Sequence, residues 1–249
     1  MMLDKYAFWM STPNLDFLEI AVNAGFRRVI LDIEHNSFTP DRREALVVAA
    51  RAMGVMVCAK IEAPESVWVQ RAVDLGVDAV ILPHVERLRD VHAALSTTKF
   101  PPQGTRSYAA GRSAGFAAPD NDYFARQNRE ILCLPMIETA AAFDDLDAIL
   151  ASPLVDGLFV GPFDLALSRG RDNYLFQAAD RADIAYIATR ARAAGKPWWM
   201  PAWGPAEQVF ARENGAMVQI VGAEHQVLAA GMATVISGIA TGRAKADAP

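Results

Sequence analysis

Cysteine is nearly absent from this 249-residue chain: only Cys58 and Cys133 occur, each inside an apolar run. Two such thiols offer neither a disulfide framework nor a zinc-ligand spacing. A reducing, cytoplasmic setting is the expectation. Long apolar runs are missing as well. No stretch approaches the ~20 uninterrupted residues of a spanning helix. The opening MMLDKYAFWM has no basic segment ahead of an apolar one, so neither a membrane anchor nor a leader is expected. A basic surplus is also lacking. The formal net charge of −5 argues against non-specific binding to nucleic acid or acidic membranes. What remains is a globular composition, 52% apolar and 21% charged, in a chain long enough for one large α/β barrel or two small domains.

Eight short apolar runs punctuate the chain: 6–10, 28–34, 55–61, 79–85, 131–138, 157–164, 197–203 and 217–222. Segments of helical periodicity lie between them, such as NLDFLEIAVNAG and PDRREALVVAARAMG. Several end in glycine just before the next run (Gly25, Gly54, Gly76, Gly195), as helix C-caps do. Alternation of this kind predicts a (β/α)8 TIM barrel over residues 1–249 as a single domain. A doubly wound open sheet is the rival, but it usually carries a glycine-rich turn after its first strand, where this chain has STPN. Two long connections, 99–126 and 165–182, break the rhythm. Both are expected to leave the C-terminal face of the barrel, where active sites sit.

Ionisable groups gather at the ends of neighbouring runs. VILDIEH ends in Asp32, Glu34 and His35; the third run ends in Lys60; the fourth carries His84; the fifth ends in Glu138 and the sixth in Asp164. Glu138 and Asp164 are one βα unit apart. On adjacent strands ~4.8 Å apart two carboxylates can share one hard divalent ion such as Mg²⁺ or Mn²⁺. Helix capping or a surface ion pair is the plain alternative. Asp32 and His35 have the makings of an acid/base pair, or of a capping Asp and a structural His. Glu34 is expected to support the loop. In GPFDL (161–165) the missing Cβ of Gly161 lets a ligand approach the main chain. Pro162 has no N–H, which leaves Phe163 and Asp164 as donors for a carboxylate.

Together these residues resemble the HpcH/HpaI family of class II, metal-dependent pyruvate aldolases. The resemblance runs over roughly residues 7–240. AGFRRVILDIEH, DLGVDAVILPHV, FPPQGTRS, PMIETAAAFDDLDAIL and VDGLFVGPFDLALSRG carry it. It implies reversible cleavage of a 4-hydroxy-2-keto acid to pyruvate and an aldehyde, with Mg²⁺, Mn²⁺ or Co²⁺ as cofactor. Glu138 and Asp164 are similar to the family's metal ligands. His35 is similar to its acid/base residue, acting through metal-bound water, with Asp32 orienting it. Gly161 and Phe163 would border the pyruvate carboxylate. Asp74 matches an aspartate near a subunit interface that helps complete the site. The family further implies a homo-oligomer, trimer or hexamer, with the last helix (about 223–240) packed on a neighbour.

The chain also departs from the family pattern. Family members carry arginine where Lys60 stands; lysine keeps the charge and loses the bidentate fork. A lysine in a barrel mouth also opens a Schiff-base route, which the Glu138/Asp164 pair makes unnecessary. Met136 stands where some members have glutamine. Trp203, His84 and the 104–116 loop are expected to shape the aldehyde pocket, and Arg112 to contact a carboxylate or phosphate. Trp198 and Trp199 are expected in the core. A biosynthetic bond-forming relative, citrate-forming or decarboxylating, and a non-catalytic keto-acid-binding barrel are the competing functions.

Overall fold

The computed structural model describes residues 3–36 and 38–246. The ends of the expected domain, residues 1–2 and 247–249, lie outside the described residues. Eight parallel strands close into a barrel in sequence order. They are β1 (Tyr6–Met10), β2 (Arg28–Asp32), β3 (Met56–Lys60), β4 (Ala79–Leu82), β5 (Leu132–Ile137), β6 (Leu158–Val160), β7 (Trp198–Pro201) and β8 (Val218–Ala223). Helices α1 (Leu15–Asn23), α2 (Pro40–Ala52), α3 (Ser66–Leu75) and α4 (Leu88–Ser96) follow the first four strands. Helix α5 (Tyr123–Glu130) precedes β5, and α6 (Ala140–Asp144) and α7 (Leu146–Ala151) follow it. Next come α8 (Pro162–Ser168), α9 (Ala178–Ala193), α10 (Pro205–Glu213) and α11 (Glu224–Ala246). Among the described residues no helix is long and apolar enough to cross a membrane.

The expected (β/α)8 barrel is therefore present, and local chemistry accounts for its breaks. The Asn14 side chain accepts from the Phe17 N–H and starts α1. Pro40 and Pro205 stand at the first positions of α2 and α10, where a missing N–H costs nothing. Gly76 ends α3 with φ at +91°, a conformation that favours glycine.

Strand alternation sorts the core into two clusters. One face of each strand packs on the helices, with Leu31, Val57, Ala59, Val80, Ile137 and Val160 among its residues. The other face fills the barrel with Ile30, Cys58, Ile81, Leu134, Met136, Phe159 and Trp199. That second set fixes where the functional groups stand. Asp32 is two residues beyond Ile30, Lys60 two beyond Cys58, Glu138 two beyond Met136, and Gly161 two beyond Phe159. Each is the next inward position at the C-terminal mouth. Trp198 and Trp199 are both buried, on opposite faces of β7.

Six of the eight strands, β2 to β7, are shorter than their apolar runs. β2 stops at Asp32 and residues 33–35 form a turn. β4 stops at Leu82 and β6 at Val160. The run GPFD turns at once into α8, with Pro162 at its start. Asp164 consequently sits in the first turn of a helix rather than on a strand.

Residues 97–122 also correct the expectation. They follow α4, not β4, so they lie beyond the helix and away from the C-terminal mouth. Lys99, buried, donates to the carbonyls of Asn128 and Ile131 and pairs with Asp156 at 2.8 Å. Arg106 reaches the Val73 carbonyl at the end of α3. The 165–182 connection does begin on the mouth side, as expected, through α8.

Candidate active site

Asp32 and Lys60 end neighbouring strands in register. Lys60 is 3% exposed. Its Nζ contacts Glu34 Oε2 and lies 3.7 Å from Asp32 Oδ1. The ring of Trp9 lies 5.9 Å away on the inner side. Glu34 is the hub of this half of the mouth. Besides Lys60 it meets His84 Nε2 at 2.5 Å and lies 3.4 Å from His35 Nε2. Burial pushes the Glu34 carboxyl up, but the hydrogen bond and charge of Lys60, with His35 and His84, bring it below its ordinary range. Asp32 does not hydrogen-bond His35. Its Oδ2 accepts from Asn36 Nδ2 at 2.9 Å, while His35 stands 60% exposed beside Glu34.

The other half is built by β5 and α8. Glu138 is 3% exposed. Burial raises its pKa above the ordinary carboxylate value; the His84 N–H and Lys60 oppose this, and the charge of Asp164 adds to it. The His84 backbone N–H donates to Glu138 Oε1 at 2.5 Å. Gly161 is required here. A Cβ at that position would come within 2.7 Å of Glu138 Cβ and of Met136 Cε, and 3.0 Å from Glu138 Oε2. Phe163, half exposed, packs against Tyr174 with ring centroids 4.8 Å apart and the planes tilted by 59°. The first turn of α8 leaves the N–H groups of Phe163 and Asp164 without intrahelical acceptors.

The charges are unevenly matched. Lys60 serves Glu34 and Asp32. Among the described residues neither Glu138 nor Asp164 has a lysine or arginine within 4.0 Å; Glu138 has only His84, at 3.8 Å. Two hard oxygen donors at one mouth without a cationic side chain fit a hard divalent cation. A second donor cluster, Asp32, Glu34 and His35, has ligand atoms within 4.8 Å of one another. An Asp/Glu/His site able to take an ion is therefore present.

Known proteins give this geometry a family. The HpcH/HpaI aldolase/citrate lyase family model matches residues 5–203. The chain belongs to the HpcH/HpaI family. The 5-keto-4-deoxy-D-glucarate aldolase of Salmonella arizonae is 31% identical over 225 residues, which span 90% of this chain and 87% of that protein. An HpcH/HpaI aldolase from Desulfitobacterium hafniense superposes with a TM-score of 0.89 at 25% identity, covering 95% of this chain and 92% of its own. An aldolase/citrate lyase family protein of Burkholderia cenocepacia gives 0.86 at 26%, covering 95% and 94%. The resemblance, the barrel and an aldolase-type activity are thus borne out.

Within this HpcH/HpaI barrel, Asp32, His35, Lys60, Glu138, Asp164 and Gly161 come together at one mouth. Trp203 lies two residues past β7 and packs on the inner cluster. Asp74 and Arg112 are not brought there. Asp74, near the end of α3, accepts from Gln70 and lies 3.9 Å from Arg106. Arg112 pairs with Glu44 on α2 and packs against Phe116 and the Gly76 turn. The 104–116 loop packs instead on α2 and α3, with Arg106 buried against the end of α3, so the expected contact of Arg112 and this loop with the substrate is not made in this chain's mouth. Two residues take other parts than those expected of them. Glu34 lies in a turn, where strand parity no longer tells direction. His84, expected at the aldehyde pocket, gives its backbone N–H to Glu138 and its imidazole to Glu34, a double contact that residue type does not reveal.

Proposed function

We propose that the chain is a divalent-metal-dependent aldolase that cleaves a 4-hydroxy-2-keto acid to pyruvate and an aldehyde, and runs the reverse condensation. The observation that carries this is the Glu138/Asp164 pair, left without a lysine or arginine beside a lysine-centred cluster of Asp32, Glu34 and His35. Mg²⁺, Mn²⁺ or Co²⁺ held by Glu138 and Asp164 supplies Lewis-acid stabilisation of the charge developing on the keto oxygen. The Asp32/Glu34/His35 cluster is the poorer seat, because Lys60 already occupies two of its three members.

The protein's own groups handle the rest. The substrate carboxylate lies against Gly161 and the free N–H groups of Phe163 and Asp164. His35 takes the proton of the 4-hydroxyl as the C3–C4 bond breaks, and C3 of the resulting enolate is protonated to give pyruvate. With Nε2 beside Glu34, Nδ1 is the nitrogen left to exchange that proton. Glu34 thus has the orienting role expected of Asp32. Asp32, held by Asn36, fixes Lys60 from the other side. Trp203 and Phe163 border the aldehyde end. A sugar-acid substrate of the kind named for the Salmonella relative is the first to try. The active species is a homo-oligomer, in which Asp74 and Arg112 reach a neighbour's mouth and α11 packs across the interface.

Lys60 is a poor Schiff-base nucleophile here, since its Nζ is enclosed between two carboxylates and the Trp9 ring. Pyruvate release should be measured over a panel of 4-hydroxy-2-keto acids with Mg²⁺, with Mn²⁺ and with EDTA. EDTA should abolish release and Mn²⁺ restore it, and borohydride with pyruvate should leave the protein mass unchanged. Undiminished release in EDTA, with a borohydride-trapped adduct, would overturn the metal route. Intact metal binding with no turnover across the panel would favour a bond-forming or non-catalytic barrel instead.

A further inference from the structure

His84 occupies an unusual place. It follows Pro83 just beyond β4, and its φ is +53°. Side chains with a Cβ rarely hold that left-handed conformation, though Asn, Asp and His do so more often than most. Strain of this kind persists only where its surroundings enforce it. The surroundings here are specific. The His84 N–H donates to Glu138 Oε1 at 2.5 Å. Its imidazole Nε2 meets Glu34 Oε1 at 2.5 Å. The adjoining backbone is pinned from the β5 side: the Val85 carbonyl accepts from Thr139 Oγ1 at 2.8 Å, and the Leu88 N–H donates to Asp145 Oδ2 at 2.7 Å. One residue thus joins the two halves of the mouth.

We propose that His84 is a positioning residue for the aldol reaction: its left-handed backbone aims the N–H at Glu138, and its imidazole ties Glu34 to the same frame. The proposal rests on the aldolase reading above. Glu138 is held at one oxygen by a rigid donor, so the carboxylate is set before a cation arrives. Glu34 in turn carries the contacts to Lys60 and His35. Lysine lacks the planar fork of arginine and cannot fix two carboxylates by its own geometry. The second tie from His84 supplies the missing constraint on Glu34.

Two substitutions separate the arms. His84→Gly keeps the N–H and relaxes the backbone without losing access to positive φ. His84→Ala likewise deletes the imidazole but keeps the Cβ, which disfavours that φ. Mn²⁺ affinity by calorimetry, kcat and KM for pyruvate release, and thermal unfolding are read for both. H84G should bind Mn²⁺ within about threefold of the wild type while kcat falls about tenfold and KM moves little, as expected for a loosened catalytic side chain. H84A should lose the same kcat and bind Mn²⁺ roughly five- to thirtyfold more weakly than H84G, the size expected from the left-handed penalty. Equal Mn²⁺ affinity in the two variants, or wild-type kcat in H84G, overturns the proposal. A wild-type protein that neither binds Mn²⁺ nor releases pyruvate overturns the aldolase reading and this role with it. A wild type that does both beside indifferent variants overturns the role alone.

Discussion

Glu34 shows how far a single residue can be read. Its neighbours Asp32 and His35, with Lys60, Glu138 and Asp164, stand out in the sequence because strand ends place them. Alternation gives the direction of Asp32, Lys60 and Glu138 from the inward parity of Ile30, Cys58 and Met136. Glu34 follows the last strand residue by two, in a turn, and only three-dimensional contact reveals it as the partner of Lys60, His35 and His84. Its depressed pKa has a definite consequence for stability. A carboxylate whose folded pKa lies below its unfolded value contributes stability above the ordinary value of 4.5, and that contribution is lost as pH falls through the folded value. Glu34→Gln should therefore lower the melting temperature at pH 7, where Lys60 keeps only Asp32. The difference from wild type should shrink as the pH is taken below about 4, past the ordinary glutamate range. Melting curves of both proteins across that range would show it. A gap that widens on acidification would mean that Glu34 is not held ionised by Lys60.

At the scale of elements, the order of strands and helices was legible throughout, because alternating periodicity and glycine caps are local signals. Which end of the barrel a long loop leaves was not. The connection expected at 99–126 lies at the far end because α4, with its buried Val91, Ala94 and Leu95, stands between it and β4. The 165–182 connection came out on the mouth side, and its anchoring is a buried polar contact that no periodicity reports. Tyr174 donates from its hydroxyl to Glu207 Oε1 at 2.7 Å. Burial and then the Glu207 carboxylate push the Tyr174 hydroxyl far above its ordinary pKa. Glu207 also accepts from the Gly204 N–H at 2.7 Å, so one carboxylate joins the loop after β6 to the start of α10. Tyr174→Phe keeps the ring that supports Phe163 and removes this donor from a buried carboxylate. The cost should be about 1–3 kcal/mol, as for other buried groups left unpaired. Urea unfolding should show a lower midpoint at unchanged slope. An unchanged midpoint would show that the hydroxyl contributes nothing to the loop.

For the whole molecule, the barrel closes on itself and buries its own core, but α11 does not share in that closure. The helix meets β8 and β1 at its start, where Glu224 accepts from the N–H groups of Ser11 and Thr12. Further along, Leu228, Met232, Val235, Ile236 and Ile239 are all exposed. Their spacing places them on one stripe of a helix. An apolar stripe of that length on a helix otherwise facing water is what a subunit contact covers. The sequence alone could not separate this from a core helix, since periodicity reports an apolar face and not what lies against it. The proposed oligomer gives the stripe its occupant, a second copy of the chain. Light scattering on the purified protein should give an integral multiple of the chain mass, greater than one. Replacing Met232 and Ile236 together by glutamate puts charge into that contact, at a cost of several kcal/mol for each uncompensated group. It should shift the protein to smaller species while the barrel stays folded by circular dichroism. Pyruvate release should fall in parallel, because in the proposed oligomer Asp74 and Arg112 serve a neighbour's mouth. Release that survives dissociation to single chains would instead make the mouth self-sufficient and leave Asp74 and Arg112 as structural partners of Arg106 and Glu44.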